Sequence, residues 1–144
     1  MMTEIRVVHS EGDAFAVVLR DHVVSVDQPY SAGGTDTGPT PVELFVASVA
    51  ACAAHCARGH LRRLGLPAGG LEVTADFAMG EGALAGVSRI ALAVRPPLAV
   101  RGAVLDGLLD AVRRCAVRNS IIDPPRIGVE VVAEGTAVAA ASAV

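Results

Sequence analysis

The chain has 144 residues, a net charge of −3, 52% hydrophobic residues and only 19% charged ones. That is one domain with enough apolar material for a sizeable core, and it excludes a disordered chain. The four aromatic residues, Phe15, Tyr30, Phe45 and Phe77, are too few for a base-stacking platform, and all twelve basic residues are Arg. The acidic balance argues against a phosphate-backbone binder. The absence of Lys excludes Schiff-base chemistry and a P-loop lysine.

The longest apolar stretch, Leu44 to Ala54 with Ser48 inside it, is shorter than the ~20 residues of a membrane span. The N-terminus is charged from Glu4 onward and has no apolar leader core. A cytoplasmic protein that engages neither membrane nor nucleic acid is expected. Three cysteines in a reducing compartment are packing residues, metal ligands or redox thiols rather than a disulfide framework.

Along the chain, residues 4–9 and 14–20 alternate as strands across the turn Ser10-Glu11-Gly12-Asp13, and 22–27 adds a third strand. Residues 28–39, with Gly33-Gly34 and Gly38-Pro39, form a loop long enough to carry function. Thr40-Pro41-Val42-Glu43 is a helix start: Thr at the N-cap, Pro at N1, Glu at N3. That helix runs to about Leu64 and stops at Gly65-Leu66-Pro67. Its first half is apolar on nearly every face, and its second half turns basic at Arg58, Arg62 and Arg63. Strands follow over 71–79 and 87–95, then an amphipathic helix over 101–114 with Val104, Leu105, Leu108, Leu109 and Val112 inward. A last strand covers 127–133. Residues 1–134 make the single domain, and the Ala-rich 135–144 is an expected disordered tail.

The order βββ–α–ββ–α–β predicts an α+β fold, an antiparallel sheet with two main helices against it. The first helix is too apolar for one small sheet to cover, so a homodimer is expected, with Leu44, Phe45 and Val49 in its interface.

Candidate chemistry rests on the thiols. Cys52 lies mid-helix, where the ordinary reading is a small core residue. Cys115 sits among Arg113, Arg114 and Arg118, and clustered cations favour a thiolate, although arginines at a helix end also suit its dipole. Cys52, His55, Cys56 and His60 share a helical stripe about 140° wide. Their spacing matches no common zinc pattern, so no metal is expected, and His60 reads as a surface histidine. Glu43 is best read as a cap; it lies about 180° around the helix from Cys52. No triad, dinucleotide fingerprint or carboxylate pair is present, and no cofactor is implied.

Gly33-Gly34, Gly38-Pro39-Thr40-Pro41-Val42-Glu43-Leu44-Phe45, Ala50-Ala51-Cys52 and Cys115-Ala116-Val117-Arg118-Asn119-Ser120-Ile121 together resemble the OsmC/Ohr superfamily over residues 4–133. The resemblance implies an intertwined homodimer with the two central helices back to back. It implies thiol-dependent reduction of small hydrophobic organic hydroperoxides in oxidative-stress defence, with Cys52 peroxidatic and Cys115 resolving, and a lipoyl-type dithiol as reductant. The chain departs from the family at three points. The first turn, His9-Ser10-Glu11-Gly12, has no Arg; Val42 stands where active members carry Glu; Ala116 replaces a Pro. Arg20, Arg113, Arg114 or Arg118 is then the expected activating cation, and Glu43 a possible supporting residue. The alternatives are a non-catalytic protein that binds a small ligand on the same fold, and a metal or redox sensor built on Cys52, His55 and Cys56.

Overall fold

A computed structural model describes residues 3–133 and 136–141. Strands β1 (Ile5–Glu11), β2 (Ala14–Leu19) and β3 (His22–Val26) form an antiparallel meander in the order β1-β2-β3, with Val7 opposite Val17 and Val17 opposite Val24. Val-rich alternation fits a pleated surface, and connections of two residues allow no other pairing. β1 runs two residues further than expected, which shortens the turn to Gly12-Asp13.

The following loop is folded around one side chain. Asp27, 1% exposed, accepts from the amides and hydroxyls of Thr35 and Thr37 at Oδ2 (2.9–3.1 Å) and from the Gln28 amide at Oδ1 (2.7 Å). The backbone then passes so close to itself that a Cβ at Gly34 would strike the Gln28 carbonyl, and one at Gly38 the Ser25 carbonyl. Glycine is required at both places for space.

Helix α1 (Pro41–Arg63) begins with the expected capping box: the Glu43 amide donates to Thr40 Oγ1 (3.2 Å) and the Thr40 amide to Glu43 Oε2 (2.8 Å). It ends in a Schellman turn. The Gly65 amide (φ +66°) donates to the Arg62 carbonyl and the Leu66 amide to the Leu61 carbonyl. Leu66 then packs on the core formed by Ala57, Leu61 and Leu108.

Strands β4 (Glu72–Met79) and β5 (Val87–Arg95) pair antiparallel, and Ile90, Leu92 and Val94 are turned toward the interior. Helix α2 (Gly102–Arg113) buries Leu108 and Ala111, while Leu105 and Leu109 of the expected inward face stay exposed. After Arg114 the chain turns at Cys115 into a third helix, α3 (Ala116–Ile122), which the sequence did not announce. Strands β6 (Val129–Ala133) and β7 (Thr136–Ala141) form a third antiparallel pair. Residues 136–141 of the expected tail are thus a strand, because β6 has an open edge and an apolar segment follows it. Residues 134–135 and 142–144 lie outside the described residues.

The fold is α+β with antiparallel sheets and three helices. The expected single sheet is three separate ones. α1 is the hub and packs on α2, β4, β5 and α3. It buries one stripe, Val46, Val49, Ala53, Ala57 and Leu61, rather than every face. Val49 of the expected interface is therefore covered by its own chain, whereas Phe45 remains 40% exposed. Taken by length and composition alone, α1 is apolar enough to cross a membrane, which a count of the longest apolar run misses because the averaged hydropathy passes over Ser48, His55 and Arg58.

Candidate functional site

Cys52 is half-buried in the middle of α1, and the start of α3 is aimed at it. Burial opposes its thiolate, but hydrogen bonds outweigh that cost. The Cys115 thiol, the Val117 and Ala116 amides and the Cys56 thiol all donate to Cys52, and together they lower its pKa. Cys115, 1% exposed, is the partner with the proton: burial raises its pKa first, and the bond it gives to Cys52 raises it further. Its sulfur also caps α3, accepting from the Arg118 amide at 3.4 Å. Cys56, one turn after Cys52, is raised by burial and then by the neighbouring Cys52 charge.

The two cysteines expected to work together are thus brought together. The arginines are not what acidifies Cys52. Arg113 is turned to the surface, 3.8 Å from Asp110. Arg114 acts with Arg63 on Cys56, lowering its pKa against the larger raising effects. Arg118 Nη1 donates to the Arg113 carbonyl (3.2 Å), and the side chain lines a neighbouring cavity. The Cys115 thiol, and after it the amide hydrogens at the start of α3, do the work expected of a cation. Proline at N1 is the usual signal for such a start, and Ala116 leaves it silent.

Glu43 is exposed and its carboxylate accepts from the Thr40 amide in the cap. His60 is not a surface residue. Its ring packs on Gly107 of α2, where a Cβ would come within 2.7 Å of it, and its buried Nε2 has no partner among the described residues. Among the described residues no three His, Cys, Asp or Glu side chains are grouped to hold a metal.

A cavity of about 330 Å³ lies between α1, β5 and α3. It is walled by Phe45 and Val49 of α1, by β5 from Val87 to Leu92, and by Arg118, Ile121 and Ile122 of α3. Val49 lies three residues before Cys52 and Arg118 three after Cys115, so the helices that carry the two thiols also wall the cavity, although neither cysteine lines it.

The family profile described as OsmC-like protein matches residues 34–130. The chain belongs to the OsmC-like family. No curated protein sequence matches it. Among solved structures, an OsmC-like protein from Mycoplasma pneumoniae is similar at 16% identity and TM-score 0.69, over 86% of this chain and 89% of that one. An organic hydroperoxide resistance protein OsmC from Legionella pneumophila is similar at 18% identity and TM-score 0.64, over 84% and 89%. An organic hydroperoxide resistance protein from Elizabethkingia anophelis reaches 22% identity and TM-score 0.63, over 83% and 89%. At these identities the likeness establishes the fold.

Proposed function

We propose that this OsmC-like protein reduces organic hydroperoxides through Cys52 and Cys115. The observation that carries the reading is the pairing of an acidified Cys52 with a protonated Cys115 on two helices that also wall a largely apolar cavity. The Cys52 thiolate attacks the outer oxygen of ROOH; the O–O bond breaks, the alkoxide takes a proton and leaves as ROH, and Cys52 becomes a sulfenic acid. The Cys115 sulfur then attacks the Cys52 sulfur, water leaves, and a Cys52–Cys115 disulfide forms. A small dithiol of the lipoyl type returns both thiols by exchange. Hydroperoxides with an apolar R group suit the cavity.

The working form in this reading is a homodimer acting in a reducing cytoplasm. Ile5, Val7 and Val23 of the meander are each more than half exposed, and Val7, Phe15, Val17, Val26, Pro41 and Leu44 surround an open apolar hollow of about 350 Å³. Apolar surface on this scale is normally covered by a partner.

The test is a count of free thiols before and after one equivalent of cumene hydroperoxide, with peptide mass mapping. Loss of two thiols as a Cys52–Cys115 disulfide, with Cys56 free, supports the reading, as does loss of peroxide consumption in Cys52→Ser. Unchanged thiols would overturn it and leave the cavity as a site for a small apolar ligand.

A further inference from the structure

The groove between α1 and α2 holds another cavity, of about 170 Å³, lined by His55, Cys56, Gly59, Arg63, Ala111 and Arg114. Two small residues create it. The Arg63 guanidinium lies folded over Gly59, 3.5 Å from where a Cβ would stand, and Ala111 is the buried floor on the α2 side. No carboxylate lines the hollow, and among the described residues neither Arg63 nor Arg114 has an ion-pair partner. Two guanidinium groups with no acidic partner among the described residues therefore face one open hollow together with a half-buried thiol. Guanidinium is the side chain best matched to carboxylates, and a concave wall lined by one sign of charge concentrates its field.

We propose that Cys56, Arg63 and Arg114 form a second thiol site that takes up a small anionic thiol as a mixed disulfide. The co-reactant is a low-mass disulfide RS–SR whose R groups carry carboxylates. The Cys56 thiol gives its proton to solvent and its sulfur attacks one sulfur of RS–SR. The Cys56–SR bond forms as the RS–SR bond breaks, and RS⁻ leaves. The arginines hold the carboxylates of the incoming disulfide. They also oppose the burial and the neighbouring Cys52 charge that keep Cys56 protonated. Once Cys52 is no longer a thiolate, its contribution disappears and that of the arginines remains. The site needs neither peroxide nor Cys115, so its fate is separable from that of the function proposed above.

The experiment uses the Cys52→Ser/Cys115→Ser protein, in which Cys56 is the one remaining thiol. It is treated with 3,3′-dithiodipropionate (dianionic) or cystamine (dicationic), each rate being normalised to that with free 2-mercaptoethanol. The dianion is expected to modify Cys56 at least about tenfold faster, the low end of electrostatic steering into a charged cleft. The preference is expected to disappear in the same protein carrying Arg63→Gln and Arg114→Gln. If the double serine variant does not fold, mapping of Cys56 adducts on the wild-type chain with the same two probes makes the same comparison. Equal rates, a preference for cystamine, no adduct on Cys56, or a preference that survives loss of both arginines would overturn the proposal.

Discussion

Cys52 owes its acidity to groups that bear no net charge. Burial costs the thiolate, and the donors that outweigh the cost are a thiol, two amides and a second thiol. Such bonds are short-ranged and little screened, whereas an arginine partner at a surface would be weakened by salt. We therefore expect iodoacetamide to label Cys52 at a lower pH than Cys56, with a midpoint that 0.5 M salt leaves in place. Cys115→Ala removes the first of the donors and should move that midpoint upward. A midpoint unchanged in Cys115→Ala would show that the neighbouring thiol is not what acidifies Cys52. Asp27 is the other residue held far from its ordinary ionisation. The Thr37 amide lowers its carboxyl most, burial works against this, and the Gln28 amide and the two threonine hydroxyls add to the lowering. A depressed carboxyl stabilises the fold above its unfolded pKa, near 3.9, and that stability is lost as pH falls toward the folded value. Melting temperature should thus drop more steeply below about pH 4 in the wild type than in Asp27→Asn. The variant should be the less stable of the two at pH 7; parallel curves would remove Asp27 from the account.

Elements were legible where a local signal fixes them. The capping box and the Gly65-Leu66-Pro67 stop set both ends of α1 to within a residue, and alternation set β5 over the expected 87–95. α3 was not legible: it is seven residues long and opens on Cys-Ala, which is no cap sequence. The site was half legible for the same reason. Cys52 and Cys115 could be paired by resemblance, but the amides that tune Cys52 belong to the element that carried no signal. Side-chain types reveal cations, and backbone donors have no letter of their own. At this scale the role of Glu43 can be tested. Thr40→Ala should cost about 1 kcal/mol of stability in denaturant melts. Glu43→Gln keeps a cap-competent side chain and should leave both stability and peroxide turnover nearly unchanged; a large fall in turnover with an intact melt would place Glu43 in the site after all.

For the whole molecule, the unfinished surfaces are the informative ones. Single-chain burial leaves the meander, Phe45 and β6 largely bare, while the buried stripe of α1 is well covered. The sequence could announce that α1 is too apolar, but not which of its faces the chain would cover itself, since helical periodicity is blurred where Ala recurs between the larger side chains. Light scattering at micromolar concentration should give twice the 14.6 kDa of the chain. Val23→Asp, on the exposed face of β3, should push that mass toward the monomer; a monomeric wild type would refute the expected assembly.

One sulfur in this molecule has two occupations. Cys115 faces Cys52 and at the same time accepts the Arg118 amide that starts α3. Whatever modifies that sulfur, whether a disulfide or an alkyl group, also redirects or weakens the acceptor at the helix start. The state of the thiol is therefore written into the backbone of a seven-residue segment that carries Arg118, Ile121 and Ile122 along the cavity wall. Deuterium uptake at the Arg118 amide should act as a clock for it, slow in the reduced protein and faster once Cys115 is modified. Equal uptake in both states would mean that the helix holds its first turn without the sulfur.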